Sequence, residues 1–162
     1  RRNGAMPAHR CHDLVEKRAQ AWIYWQFADN AGAWGLVNNR LDGRDASYRL
    51  TRKFHVMAQF SRFIRPGCAI VQANDGDSLA AYDENRQQLI IVCVNDSREA
   101  RATIFQLNGA RTTAKEVTAY RTSQQEDVAS QPPLAITNGR FTASLPARSV
   151  TTFVIPDASV QR

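Results

Sequence analysis

Past residue 68 the chain is cut into short strand-prone runs, at 69–72, 78–82, 89–95, 101–107, 115–120, 141–145 and 150–155. Between them stand turn-forming clusters: Asn74-Asp75-Gly76-Asp77, Asp83-Glu84-Asn85, Asn95-Asp96-Ser97, Asn108-Gly109 and Asn138-Gly139. Gly, Asn and Asp tolerate the positive φ that tight hairpins demand, so they fix where each run must reverse. Seven such runs at this spacing predict an antiparallel β-sandwich, with residues 123–133 as a long polar loop inside it.

The first third of the chain has a different texture. Residues 1–12 are polar and are interrupted by Pro7, and a helical pattern with Leu14 and Val15 as its apolar positions runs to about Gln20. Ala21-Trp22-Ile23-Tyr24-Trp25-Gln26 follows. Its four large apolar residues in a row predict a strand covered on both faces, as in a parallel α/β sheet. The Gly/Asn-containing loop 27–36 would then leave the carboxyl end of that strand, where such folds keep their binding sites. Asn38-Asn39 and Asp42-Gly43 suggest a hairpin or excursion between 38 and 47. Thr51 is placed to cap a helix over 52–64, with Val56, Met57, Phe60, Phe63 and Ile64 on one stripe. Pro66 and Gly67 stop it. The pattern divides the chain into 1–66, of α/β character, and 67–162, all β. A single parallel strand cannot satisfy its own edges, so the first part reads as the end of something longer.

Charge follows the same division. Residues 1–65 hold 12 Lys/Arg against 5 Asp/Glu, and residues 66–162 hold 9 against 10. The pI near 9.7 permits polyanion binding, but the basic residues are scattered, which argues against a nucleic-acid surface. Arg52-Lys53 opens a helix against its macrodipole and calls for a partner or an acidic neighbour. Cys11, Cys68 and Cys93 lack the spacing of a metal or redox motif, and Cys93 falls in an apolar strand as a buried thiol. His9 and His12 have no third ligand near them in sequence, so neither a metal site nor a cofactor is expected. No run is long and apolar enough for a membrane helix, and no membrane partner is expected.

Taken in order, Trp22-Ile23-Tyr24-Trp25-Gln26, Ala33-Trp34-Gly35-Leu36 and Gln59-Phe60-Ser61-Arg62-Phe63-Ile64-Arg65-Pro66-Gly67 resemble the C-terminal part of glycoside hydrolase family 30, its fungal endo-β-1,6-galactanase-like members above all. The runs 89–96 and 144–155 are similar to strands of that family's side domain. The resemblance covers roughly residues 19–156. It implies a TIM barrel whose eighth strand is 21–26 and whose last helix is 52–64, followed by an antiparallel β-sandwich side domain. It also implies a secreted enzyme acting on a glycan, with the remainder of the barrel as a necessary partner. Such enzymes use two glutamates, after the fourth barrel strand and on the seventh, and both positions fall upstream of Arg1. Of the glutamates present, Glu16, Glu84, Glu99, Glu116 and Glu126, none matches either position, so no catalytic residue is assigned. The resemblance makes Trp25 the floor of a sugar subsite, with Gln26 beside it to bond a hydroxyl and Trp34 as a further contact. The competing readings are Trp25 as barrel core, a non-catalytic lectin-like β-sandwich that binds carbohydrate, and a basic polyanion-binding protein.

Overall fold

The computed structural model describes residues 23–30, 34–40 and 47–161. The helix expected before Gln20, the His9/His12 pair, Cys11, Ala21, Trp22 and Asp42-Gly43 lie outside these residues.

One strand organises the described structure. Gln88–Asn95 (β6) is buried along nearly its whole length. Successive side chains of a strand point to opposite faces, so Leu89, Ile91 and Cys93 join one apolar cluster while Ile90, Val92 and Val94 join another. An uninterrupted apolar run is what covering on both faces requires, and here it occurs in an antiparallel sheet. That sheet has the order β10-β9-β12-β6-β5-β4, formed by Ala69–Val71 (β4), Ser78–Asp83 (β5), β6, Glu116–Thr122 (β9), Ala129–Ala135 (β10) and Ser149–Ile155 (β12).

On one face lies the antiparallel pair of Arg101–Gln106 (β7) and Arg140–Leu145 (β11). Phe105 and Phe141 of this pair stack at 4.9 Å between ring centroids, and both meet Phe153 of β12. On the other face lies the helix Arg52–Ser61 (α1). Val56 and Phe60 are buried there against Leu79, Ile90, Val92, Val94 and Val150, with Phe63, Ile64 and Cys68 packed at the rim. Met57 is only half-buried. The i, i+3, i+4 positions of the stripe also include a polar residue, Gln59, which is fully buried. Its amide is oriented so that Oε1 accepts from the Thr122 N–H at 2.9 Å and Nε2 donates to Thr152 Oγ1 at 2.6 Å. Thr152 Oγ1 in turn donates to the Gln59 carbonyl at 2.8 Å. The helix is therefore fixed to β9 and β12 by hydrogen bonds as well as by apolar contact.

The seven expected strands are present, and the Asn138-Gly139 turn is a two-residue hairpin turn with both φ angles positive, at 51° and 69°. Three expectations are corrected. Residues 123–133 are not all loop, because β10 begins at Ala129 despite Pro132 and Pro133. β10 is an edge strand, its register shifts between Gln131 and Leu134, and an edge or bulge is where a sheet tolerates residues without an N–H. The short pair Ala110–Thr112 (β8) and Ala158–Val160 (β13) also went unpredicted. The helix ends at Ser61 rather than Ile64, tapering through the bonds from the N–H groups of Phe63 and Ile64 to the Phe60 carbonyl.

The last correction is the aromatic run. Over its described part, residues 23–27 belong to no strand; the strand Ala28–Asn30 (β1) starts after them and pairs in parallel with Val37–Arg40 (β2), which pairs antiparallel with Ser47–Leu50 (β3). The β2/β3 pair is the expected hairpin, although Asn38 and Asn39 lie within it rather than at its turn. A strand exists only where a neighbour takes its backbone bonds. In residues 23–27 the carbonyls of Gln26 and Phe27 meet the N–H groups of Leu36 and Val37, which is too little to make a ladder.

Candidate functional site: the aromatic loop beside the helix

Several large apolar side chains among the described residues before α1 are exposed to an unusual degree for a folded chain. Ile23 is 89%, Trp25 80%, Trp34 69% and Tyr48 78% accessible, and Phe27 is largely exposed as well. Large apolar side chains left exposed in such numbers make these segments the candidate interaction site. Trp25 is thus no part of a core in this chain. Gln26 is half-buried beside it, and the Trp25-Gln26 peptide is cis.

The backbone carrying these rings is closely held. The Tyr24 hydroxyl donates to the Trp34 carbonyl at 3.1 Å, and the Trp34 N–H donates to Asp29 Oδ2 at 3.1 Å. The Leu36 N–H reaches the Gln26 carbonyl at 3.1 Å, and the Val37 N–H reaches that of Phe27 at 2.8 Å. At Gly35 the two segments touch: an added Cβ would lie 2.7 Å from the Asp29 Cβ and from the Val37 carbonyl oxygen, so only glycine fits. Trp25, Gln26 and Trp34 therefore stand on two segments running side by side. Tyr24, Asp29 and Gly35, which hold those segments, were missed. Their only signal in the sequence is the small and polar composition of the loop.

A second polar cluster sits at the start of α1. Arg52 donates to the Asp127 carboxylate and to the carbonyls of Gln124 and Glu126, each carbonyl at 2.9 Å; this is the acidic neighbour its position called for. Arg121 grips both oxygens of Glu126 at 2.6 Å, with Ser123 at 2.7 Å and Gln131 at 3.1 Å completing the set. These bonds, the Arg121 guanidinium first, lower the Glu126 pKa to about 2. A carboxylate so held stays ionised at neutral pH and offers no proton, so the cluster is a clamp rather than an acid/base pair. His55, 3.6 Å from Asp127, is pushed down by burial and by Arg52.

Cys93 is buried, and burial raises its pKa, so its thiol is inert. Among the described residues no three His, Cys, Asp or Glu side chains come together as a metal site, and no helix is long and apolar enough to cross a membrane. A groove of about 700 Å³ opens between β4 and β7, with a mixed lining in which Ile70, Leu89 and Ile104 alternate with polar groups such as Gln72, Asp75 and Gln106. It lacks the exposed flat rings that distinguish the loop.

No family model matches the chain. The endo-beta-1,6-galactanase of Hypocrea rufa is 36% identical to it over 154 residues, covering 92% of this chain and 32% of that protein. The glucuronoxylanase XynC of Bacillus subtilis is 29% identical over 151 residues, covering 91% and 33%. Among solved structures, the glycoside hydrolase family 30 subfamily 8 xylanase of Clostridium acetobutylicum superimposes with a TM-score of 0.73 at 27% identity, over 94% of this chain and 40% of that one. The chain thus spans about a third of the length of the relatives it matches. In sequence and in its largely β structure with one packed helix, the chain is homologous to glycoside hydrolase family 30 enzymes and is consistent with their C-terminal part.

Proposed function

We propose that this chain is the C-terminal portion of a retaining glycoside hydrolase that acts on β-linked glycans of the β-1,6-galactan type. In this reading residues 1–66 complete a TIM barrel and residues 67–162 form its β-sandwich side domain. The catalytic glutamates lie upstream of Arg1 in a longer, secreted protein. The observation that carries the reading is the 36% identity to an endo-beta-1,6-galactanase over 92% of the chain. The exposure of Trp25 supports it: the ring is available to the apolar C–H face of a pyranose, with Gln26 adjacent to bond a hydroxyl and Trp34 on the neighbouring segment. Ile23, Phe27 and Tyr48 supply further apolar surface for the rest of the barrel to cover.

A lectin-like sandwich standing alone would need these aromatics packed on the sheet or in an oligomer interface, and their exposure removes the first of these two placements. Retaining hydrolysis needs a nucleophilic carboxylate and an acid/base roughly 5 Å apart across the sugar. The one glutamate with a strongly shifted pKa among the described residues, Glu126, is occupied by Arg121, Ser123 and Gln131. Purified residues 1–162 should therefore release no reducing ends from β-1,6-galactan, while the longer protein hydrolyses it with retention. Clear hydrolysis by the 162-residue chain, free of any longer species, would overturn the proposal.

A further inference from the structure

Thr51 stands at the N-cap of α1 with extended backbone, φ −90° and ψ 165°, yet its side chain makes no bond to the helix. A threonine in this place ordinarily turns its hydroxyl to the second or third N–H of the helix. Here the hydroxyl points the other way, to the Leu36 carbonyl at 2.8 Å and the Gly35 carbonyl at 3.1 Å. The Thr51 N–H donates to the same Leu36 carbonyl at 2.9 Å. Leu36 and Val37 carry the connection onward to the carbonyls of Gln26 and Phe27, and Gly35 leaves no space for the two segments to slide. At its other end α1 is fixed to β9 and β12 through Gln59.

We propose that Thr51 is a positioning residue for the aromatic loop. It acts through Gly35 and Leu36 to set Trp25 and Trp34 against the helix, and so transmits the placement of the β-sheet to the sugar-facing rings. The glycan role of those rings rests on the function proposed above; the positioning does not. Thr51 itself is half-buried behind the loop and is not assigned a sugar contact.

The test compares Thr51→Val, which keeps the shape and removes the hydroxyl, with Thr51→Ser, which restores it. Two readouts are taken on the 162-residue chain. One is the set of indole N–H resonances of Trp25 and Trp34, with methyl resonances of Ile90 and Val92 reporting the sheet. The other is affinity for β-1,6-linked galacto-oligosaccharides. Thr51→Val should shift or broaden the two indole signals, leave the sheet methyls in place and weaken binding about fivefold, the scale of one hydrogen bond; Thr51→Ser should restore both. Unmoved indole signals in Thr51→Val would overturn the inference, and so would loss of the sheet methyl pattern together with the indoles, which is the mark of a merely structural role. Moved indole signals in a chain whose wild type binds no oligosaccharide would uphold the positioning and count against the glycan reading instead.

Discussion

Glu126 and Gln59 do at the level of single residues what the apolar pattern cannot do, which is to fix one polar arrangement. Glu126 collects Arg121, Ser123 and Gln131 on its two oxygens, and its pKa falls from an ordinary 4.5 to about 2. A carboxylate with a depressed folded-state pKa stabilises the fold above its unfolded pKa and loses that contribution as pH falls toward the folded value. The melting temperature should therefore drop between about pH 4.5 and pH 2, and Glu126→Gln should flatten that part of the profile. A thermal titration of the two proteins checks this. Gln59 is the harder residue to read from sequence, because a glutamine on an apolar stripe looks like a solvent position. Its partners come from β9 and β12, more than sixty residues away, and no local pattern shows them. Gln59→Ala strands the Thr122 N–H in the interior and should cost about 2 kcal/mol or more in urea unfolding, as unsatisfied buried groups do.

At the scale of elements, legibility followed punctuation. β5, β6, β7, β11 and β12 were visible because Asn, Asp and Gly mark their ends, and α1 because its stripe recurs at helical spacing. β10 was hidden by Pro132 and Pro133, whose missing N–H groups are harmless only on the edge strand where the topology puts them. Residues 23–26, the described part of the expected strand, were misjudged for a related reason. Strand propensity describes side chains, whereas a strand is made by its neighbours, and none pairs with residues 23–27 among the described residues. Phe60 offers the sharpest test of the helix-on-sheet packing, since it is buried between α1 and β6. Phe60→Ala should lower stability by about 3–5 kcal/mol. Ile104→Ala, on the exposed face of β7, should change it by no more than about 0.5 kcal/mol. Equal effects in chemical denaturation would show the stripe facing the wrong way. The helix end meets the sheet through Arg62, whose guanidinium lies 5.6 Å from the Tyr120 ring centroid, and Arg65 caps the Ser61 carbonyl at 2.8 Å. The preference for cations at a helix C-terminus made the Arg65 contact foreseeable, whereas the ring contact of Arg62 is of another kind.

For the molecule as a whole, the change of texture near Pro66 and the order of the aromatic motifs carried most of what sequence offered about function. The Trp25, Gln26 and Trp34 set emerged from resemblance. The bonds that hold its loop, from Asp29, Gly35 and Thr51, emerged only in three dimensions, because each joins residues five to sixteen apart without a repeating pattern. The proposed function requires Trp25 to face a glycan and not a core. With its ring 80% exposed in this chain, the indole has little to contribute to the folding of these residues and much to offer a sugar. The most direct measurement is turnover of β-1,6-galactan by Trp25→Ala in the longer enzyme, read beside its melting temperature. Turnover should be about tenfold lower, the loss of a stacking surface worth about 1.4 kcal/mol, with the melting temperature nearly unchanged. Undiminished turnover, or a fall in melting temperature matching the roughly 3–5 kcal/mol of a truncated core tryptophan, would contradict it.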